Sequence, residues 1–305
     1  MRMNKFFLSC DWGTSSFRLR LIDGESLTVL AEEKQDTGIA ATHKAWQASG
    51  LPREEFYAEI IDRQIDTLAR KLGTPLSDLP VVLSGMASSS IGMVELPYQP
   101  LPFPLNGAGL VVQAFRRYLI ISGGRTSDDV MRGEETKIIG CAGWLAGKPD
   151  ALLILPGTHP KHVLVSSGIV HSFQTFMTGE LFDLLATHSI LAASVEGGGP
   201  FSDTWFEEGV KAGQAANLLH AGFMVRTNQV LKKVPPQHNY FYLSGLLIGA
   251  ELKEVKPGLP VYIVGGALHT PLYARACSLL NIPVAGRIDA DEALIRGQWE
   301  VLNGR

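Results

Sequence analysis

The chain has little that advertises a ready-made activity. It holds only three cysteines, Cys10, Cys141 and Cys277, odd in number and far apart. That excludes a disulfide framework and any cysteine-based metal spacing, so buried free thiols of a reducing compartment are expected. No His-x-x-x-His occurs among the eight histidines, which removes the common helical zinc site. Two frequent nucleotide cradles are missing. There is no G-x-x-x-x-G-K-[ST], because Gly147-Lys148 lacks both the upstream glycine and the following hydroxyl, and no G-x-G-x-x-G follows a strand. No apolar run approaches the ~18 residues of a membrane span. Arg2 and Lys5 flank a short apolar start, and Leu8-Ser9-Cys10 faintly resembles a lipoprotein cleavage site. That stretch is far below the ~7–15 residues of a signal peptide, and Asp11 follows at once. A basic excess is also absent: Lys+Arg 27 against Asp+Glu 30 leaves a formal charge of -3, which argues against nucleic acid as a partner. A soluble, cytoplasmic protein without membrane partners is expected.

What is present is material for a sizeable core. The 305 residues are 46% hydrophobic and 19% charged, enough for about two ordinary domains and too apolar for disorder. The 32 glycines and 17 prolines are spread along the chain, punctuating many short elements. Phe6–Cys10 reads as a buried strand, Asp11–Ser16 as a turn, and Phe17–Ile22 as a returning strand of alternating apolar and basic residues. Leu27–Glu32 is a third strand. Arg53–Leu72 carries a 3.6-residue apolar spacing and is closed by Gly73, as a long helix. Pro80–Gly85 and Tyr118–Ser122 read as strands, Glu95–Pro104 as irregular, and Glu134–Ala146 as a helix.

The pattern then restarts. Ala151–Leu155 is a buried strand, Pro156–Pro160 a turn, Lys161–Val165 a returning strand, and Ile169–Thr175 a third. Strand, Gly-Thr turn, strand, glycine turn, strand occurs at residues 6–32 and again at 151–175, which predicts two similar lobes. The expected boundary lies near Gly147-Lys148-Pro149-Asp150, giving domains 1–148 and 149–305. Helices follow at Gly179–Leu191 and Ser202–Val225. Tyr240–Leu252 is a buried helix start or a strand-to-helix passage. Val261–Val264 is a strand meeting Gly265-Gly266, with helices at Pro271–Leu280 and Asp289–Leu302.

The turns carry the chemistry. Asp11-Trp12-Gly13-Thr14-Ser15-Ser16 sets a carboxylate at a strand end, then a glycine, then hydroxyls. Glycine lets backbone N–H groups approach phosphate oxygens, hydroxyls add donors, and a carboxylate suits Mg²⁺ directly or through water. Gly157-Thr158 in the second lobe is a turn of the same kind. Either alone is equally an ordinary hairpin turn; as a repeated pair they would clamp a triphosphate. Gly265-Gly266, after a strand and before a helix, admits an adenine or ribose close to the backbone, or is a plain turn. Arg132-Gly133-Glu134-Glu135-Thr136 opens the helix at the lobe junction. A carboxylate there serves as a general base for a substrate hydroxyl, or merely complements the helix dipole. Thr178-Gly179-Glu180 reads as a helix cap.

These residues together resemble the phosphate-1, connect, phosphate-2 and adenosine elements of the sugar-kinase, heat-shock-70 and actin superfamily. Within it the chain is similar to the 2-dehydro-3-deoxygalactonokinase family. The matching stretches are DWGTSSFRLRLID from Asp11, SGMASSSIGMVELPY from Ser84, VMRGEETKIIG from Val130, PGTHPKHV from Pro156, FQTFMTGEL from Phe173, HSIL from His188 and FYLSGLLIGAEL from Phe241. Three positions depart from the family pattern. Met93 replaces the usual tryptophan, and Pro160 and His162 flank Lys161 in place of the usual Cys and Trp. They bear on fine substrate contacts and leave the phosphate elements untouched.

The resemblance implies an α/β fold of two ribonuclease-H-like lobes, with five-stranded mixed sheets around a central cleft. It implies transfer of the ATP γ-phosphate to the C6 hydroxyl of 2-dehydro-3-deoxy-D-galactonate, in galactonate breakdown. On this reading Asp11 holds Mg²⁺, and Gly13, Thr14, Ser15, Gly157 and Thr158 grip phosphate. Gly265 and Gly266 border the adenosine. Glu135 or Glu134 is the base. Glu135 is preferred because Glu followed by Thr resembles the catalytic Asp-Thr of related hexose kinases. Ser84, Met86, Ser88 and Ser89 belong to the sugar loop, and Arg132 or Arg18 takes the substrate carboxylate. ATP and a sugar acid are the expected partners, and the apolar segments serve equally for core or for a homodimer. Other readings are a kinase of another acidic or hexose sugar, a non-catalytic actin-like ATP clamp, and a phosphatase of the exopolyphosphatase branch.

Overall fold

A computed structural model describes residues 5–148 and 150–304. Arg2, and Pro149 at the expected domain boundary, lie outside the described residues. The chain divides into two compact units. Unit 1 is Met1–Pro149 with Val165–Ser172 and Ala290–Arg305, and unit 2 is Asp150–Leu164 with Phe173–Asp289. The sequence expectation of 1–148 and 149–305 therefore differs in a hairpin tip and in the last helix, both of which group with unit 1.

Unit 1 begins with β1 (Phe6–Trp12), β2 (Phe17–Asp23) and β3 (Val29–Gln35), followed by α1 (Ile39–Gln47) and α2 (Arg53–Leu72). Then come β4 (Val81–Gly85), the two-residue strands β5 (Gln99–Pro100) and β6 (Phe103–Pro104), β7 (Val112–Phe115), β8 (Tyr118–Ile121), β9 (Gly124–Arg125) and β10 (Val130–Met131). The main sheet is six-stranded, in the order β3-β2-β1-β4-β8-β7. β1 pairs antiparallel with β2 and parallel with β4, and β4 pairs parallel with β8. The strand period of two sorts the side chains between the two faces. Leu8, Cys10, Trp12, Leu19 and Leu83 join Tyr57, Ile61, Ile65 and Leu68 of α2 in one core. α2 is the helix expected at Arg53–Leu72, ended by Gly73 in the left-handed conformation.

The helix expected over Glu134–Ala146 is split at Cys141 into α3 (Glu134–Gly140) and α4 (Ala142–Leu145). α3 pairs with the last helix of the chain at very close range. A Cβ on Gly140 would lie 1.8 Å from the carbonyl oxygen of Ala293, and one on Gly297 would lie 1.8 Å from that of Thr136. Glycine at both positions lets the two backbones touch, and this contact sets the final helix in unit 1.

Unit 2 repeats the strand order. β11 (Asp150–Leu155), β12 (Lys161–Ser166), β13 (Ile169–Thr175), β14 (Val261–Gly265) and β15 (Val284–Asp289) line up as β15-β14-β11-β12-β13. The tip of the β12–β13 hairpin belongs to unit 1, where Ile169 and Val170 pair with Pro104 and Phe103 of β6. Both sheets thus keep a five-strand core of one order and add an edge strand, giving six where five were expected. The helices are α5 (Thr178–His188), α6 (Asp203–Ala215), α7 (Leu218–Lys232), α8 (Pro236–Glu251) and α9 (Thr270–Leu279), with α10 (Ala290–Asn303) closing the chain.

The single helix expected over Ser202–Val225 is two. Asn217 caps the second, its side chain accepting from the Leu219 N–H at 3.0 Å, so the chain breaks and restarts there. The expected helix after Gly179 is α5 followed by a short 3-10 turn, Ile190–Ser194. The ambiguous Tyr240–Leu252 segment lies in α8, which is buried on nearly all sides and so shows no amphipathic stripe. Several elements are not foreseen from the sequence: α1, which buries only Ile39 and Thr42, β15, an edge strand with only Ile288 buried, and the short strands β7, β9 and β10, while the segment Glu95–Pro104, read as irregular, carries β5 and β6. Among the described residues no helix is long and apolar enough to cross a membrane.

Candidate active site

In unit 1 the site is built at the ends of the parallel strands β1 and β4. Asp11 stands beside Ser84 and Arg18 in register, so the three share one face of the sheet. The turn after Asp11 is closed by the Gly13 N–H donating to the Ser16 carbonyl at 2.9 Å, and it leaves Thr14 and Ser15 exposed. α1 braces this turn from behind. Its first N–H groups, of Ile39 and Ala40, donate to the carbonyls of Gly13 and Thr14 at 2.9 and 3.2 Å. Gly38 makes the approach possible, since a Cβ there would sit 2.3 Å from the Thr14 carbonyl oxygen.

β4 ends at Gly85, with φ +86, and the segment opening α3 turns at Gly133, with φ +102. Side-chain-bearing residues rarely adopt either value, and the two glycines stack: a Cβ on Gly133 would lie 3.1 Å from the Gly85 Cα. One on Gly85 would lie 3.5 Å from Asp11 Oδ1. Asp11, the loop after β4 and the start of α3 are thereby gathered in one place from three distant stretches of sequence.

The two junction carboxylates differ sharply. Glu135 is fully buried; its Oε2 accepts the Gly133 N–H at 2.7 Å and its Oε1 the Thr136 hydroxyl at 3.1 Å. Burial, and next the nearby charge of Glu134, push its carboxyl up to about 8. Glu134 is half-buried, and its Oε2 accepts the Arg132 N–H at 3.0 Å. Arg132 is itself directed: its guanidinium donates to the Ser88 carbonyl and hydroxyl and lies over the Tyr98 ring, 4.1 Å from the centroid.

The expected sugar loop is only partly open. Ser84 is buried in β4 and receives a hydrogen bond from Gln298 at 3.0 Å. Ser88 and Ser89 are buried, whereas Met86 keeps some exposure. The loop is pinned from α2: Arg53 donates to the Ser89 and Ser90 carbonyls at 3.2 and 2.7 Å, and the Tyr57 hydroxyl to that of Ile91 at 2.6 Å. Arg18 is directed elsewhere, onto Asp291 of α10 at 3.1 Å.

Unit 2 repeats the braced turn. α5 backs onto Gly157-Thr158: the Glu180 N–H donates to the Thr158 carbonyl at 3.0 Å, and a Cβ on Gly179 would lie 2.4 Å from the Gly157 carbonyl oxygen. Gly179, read from the sequence as part of a cap, is thus the counterpart of Gly38. The His159 ring lies 2.6 Å from the Glu180 carboxylate. Gly265 packs against this turn, where a Cβ would meet Pro156 at 3.4 Å. The turn opens on a cavity of about 530 Å³ whose walls include Phe182, Tyr240, Ser244, Leu268 and His269. Burial lowers the pKa of His269. A mostly apolar and aromatic cavity with a Gly-Thr turn at one edge suits a nucleoside with its phosphates. The turn and Gly265-Gly266 are legible in the sequence as site residues, but these walls are not: they come from α5, α8 and the loop entering α9, and although Ser244 lies in the FYLSGLLIGAEL stretch, nothing local marks it as a cavity wall. Among the described residues there is no cluster of three metal-ligating side chains.

The profile of the 2-keto-3-deoxy-galactonokinase family matches residues 11–301. A probable 2-dehydro-3-deoxygalactonokinase of Rhizobium meliloti (strain 1021) is 33% identical, over 96% of this chain and 95% of its own. The 2-dehydro-3-deoxygalactonokinase of Escherichia coli (strain K12) is 30% identical over 92% of each chain. A crystal structure from Sinorhizobium meliloti, of a protein given the same enzyme name, is similar with a TM-score of 0.81 at 31% identity, covering 98% of this chain and 96% of the other. The Clostridium difficile activator of 2-hydroxyisocaproyl-CoA dehydratase, with bound ADPNP, shares the fold alone, at a TM-score of 0.52 and 12% identity. The chain belongs to the 2-keto-3-deoxy-galactonokinase family.

Proposed function

We infer that the chain is an ATP-dependent 2-dehydro-3-deoxygalactonokinase, which transfers the γ-phosphoryl group to the C6 hydroxyl of 2-dehydro-3-deoxy-D-galactonate. The observation that carries this reading is the family match over residues 11–301, with each Gly-Thr turn braced by a helix start behind it. Gly13, Thr14, Ser15, Gly157 and Thr158 are the phosphate-binding groups. Gly265, Gly266 and the cavity beside them take the adenosine.

Asp11 suits magnesium: it is a half-buried carboxylate at a strand end, and none of the described residues donates a hydrogen bond to it. When bound, the ion neutralises phosphate charge. The base is Glu134 on this reading, and the preference for Glu135 is revised. Exposure supports the change, because a fully buried carboxylate has no open face for a substrate hydroxyl. Glu134 takes the C6 proton as the new O–P bond forms and the bond to ADP breaks. Arg132, held by Ser88 and Tyr98, presents its guanidinium to the substrate carboxylate. Arg18, engaged by Asp291, is the weaker candidate.

Coupled ADP release across a panel of sugar acids and neutral sugars tests the function. Turnover confined to 2-keto-3-deoxy sugar acids, with a phosphomonoester at C6 by ³¹P NMR, is the expected result. Equal turnover of neutral hexoses, or phosphate release without an acceptor, overturns it.

A further inference from the structure

Four elements of unit 2 meet at one buried carboxylate. Glu251, the last residue of α8, follows an almost wholly apolar stretch and is only 4% exposed. Its Oε1 lies 2.9 Å from His162 Nε2 on β12. Its Oε2 accepts the Tyr273 hydroxyl of α9 at 2.6 Å and the hydroxyl of Thr178, the first residue of α5. Burial, reinforced by Glu251, raises the Tyr273 pKa well above its usual value, so this hydroxyl stays a donor. A buried carboxylate is costly unless its oxygens are satisfied, and here both are.

The Thr178 bond leads to the phosphate turn. Thr178 is followed by Gly179, which abuts the Gly157 carbonyl, and by Glu180, whose N–H holds the Thr158 carbonyl. The first turn of α5 is therefore the wall behind Gly157-Thr158, and the Glu251 carboxylate is the anchor of that wall. We propose that Glu251 is a positioning residue for the nucleotide: acting through Thr178, it fixes the first turn of α5 and with it the phosphate-binding turn. The inference rests on the assignment of that turn to ATP. None of the sequence motifs singles Glu251 out for such a role, because its partners lie in three other stretches of the chain.

Steady-state kinetics of Glu251→Gln, Thr178→Val, Thr178→Ser and the Glu251→Gln/Thr178→Val double variant test it, with melting temperatures measured alongside. Loss of the hydrogen bond in Thr178→Val is expected to raise KM for ATP by about tenfold, and Glu251→Gln, whose amide oxygen accepts the same hydroxyl more weakly, should raise it by less. KM for the sugar acid should not move, and Thr178→Ser should restore the wild-type KM for ATP. The double variant should be no worse than the worse single one, since both act on the same link. Lowered melting temperatures with unchanged KM for ATP overturn the proposal, leaving Glu251 a structural hydrogen-bond partner. So do additive effects, which mean separate routes. If Glu251→Gln does not fold, the Thr178 pair decides alone. Should the wild type release no ADP with any sugar acid, the functional reading fails first. ADP affinity by calorimetry on the same variants then takes the place of KM.

Discussion

At Glu134 and Glu135, neighbouring residues of one type have been given different environments by a single helix start. Adjacent helical positions project about 100° apart, so one carboxylate turns inward and the other keeps contact with solvent. Glu134→Gln is expected to lower kcat by about 10²–10⁴, the usual worth of a positioned base, with little change in melting temperature. Full turnover by Glu134→Gln would remove it as the base. Glu135 gives a different signature. Its carboxyl is raised to about 8 in the fold from an ordinary 4.5, so the folded state holds a proton that the unfolded chain releases. The stability associated with it is fully present below about 4.5 and is lost as pH rises towards about 8, a difference on the order of a few kcal/mol. Glu135→Gln cannot ionise there, so its melting temperature should stay flatter than that of the wild type across this window. Parallel curves from pH 5 to 8 would refute the buried-acid account. Asp11→Asn keeps the shape but not the charge, and should lose magnesium-dependent turnover by orders of magnitude. Turnover near that of the wild type at saturating magnesium would mean that Asp11 is not the metal carboxylate.

The recurring element is a hairpin turn with a helix start pressed against it, once per unit. The hairpins were legible in the sequence, because a strand of period two followed by a glycine turn leaves a local pattern. The braces were not. α1 is too short for a periodic signal, and a glycine at a helix start reads as a cap whether or not another backbone passes close by. Gly38→Ala and Gly179→Ala place a methyl group 2.3 and 2.4 Å from a carbonyl oxygen of the turn they support. Each should raise KM for ATP while leaving KM for the sugar acid unchanged. Gly143→Ala in α4 is the control: nothing lies within 4 Å of its Cβ, and alanine in a helix is better by about 0.5–1 kcal/mol, so stability should hold or rise. Equal KM values in all three variants would separate the braces from phosphate binding.

Over the whole molecule, two sheets of matching strand order carry separate cores, one gathered by α2 and the other by α6, α8 and α9. α10 belongs with the first although it ends the chain, because Gly297 and Gly140 allow it to lie backbone to backbone on α3. Gly297→Ala drives a methyl group into the Thr136 carbonyl, and overpacking of this kind typically costs about 1–3 kcal/mol. Hydrogen exchange should then quicken in α3 and α10 while β11 and β14 of unit 2 keep their protection. Uniform loss across both units would show that they unfold as one.

The sequence by itself determined the strand and helix types over most of the chain, the duplicated hairpin and the residues of both Gly-Thr turns. These are fixed by local periodicity and by the few residue types that a tight turn tolerates. Tertiary structure decided what depends on partners distant in sequence. It turned Glu135 inward and left Glu134 half open, buried Ser84 under Gln298, drew Arg18 onto Asp291 and walled the cavity from α5, α8 and the loop entering α9. Whether a side chain is reachable is set by what packs over it, and that information is carried by other parts of the chain.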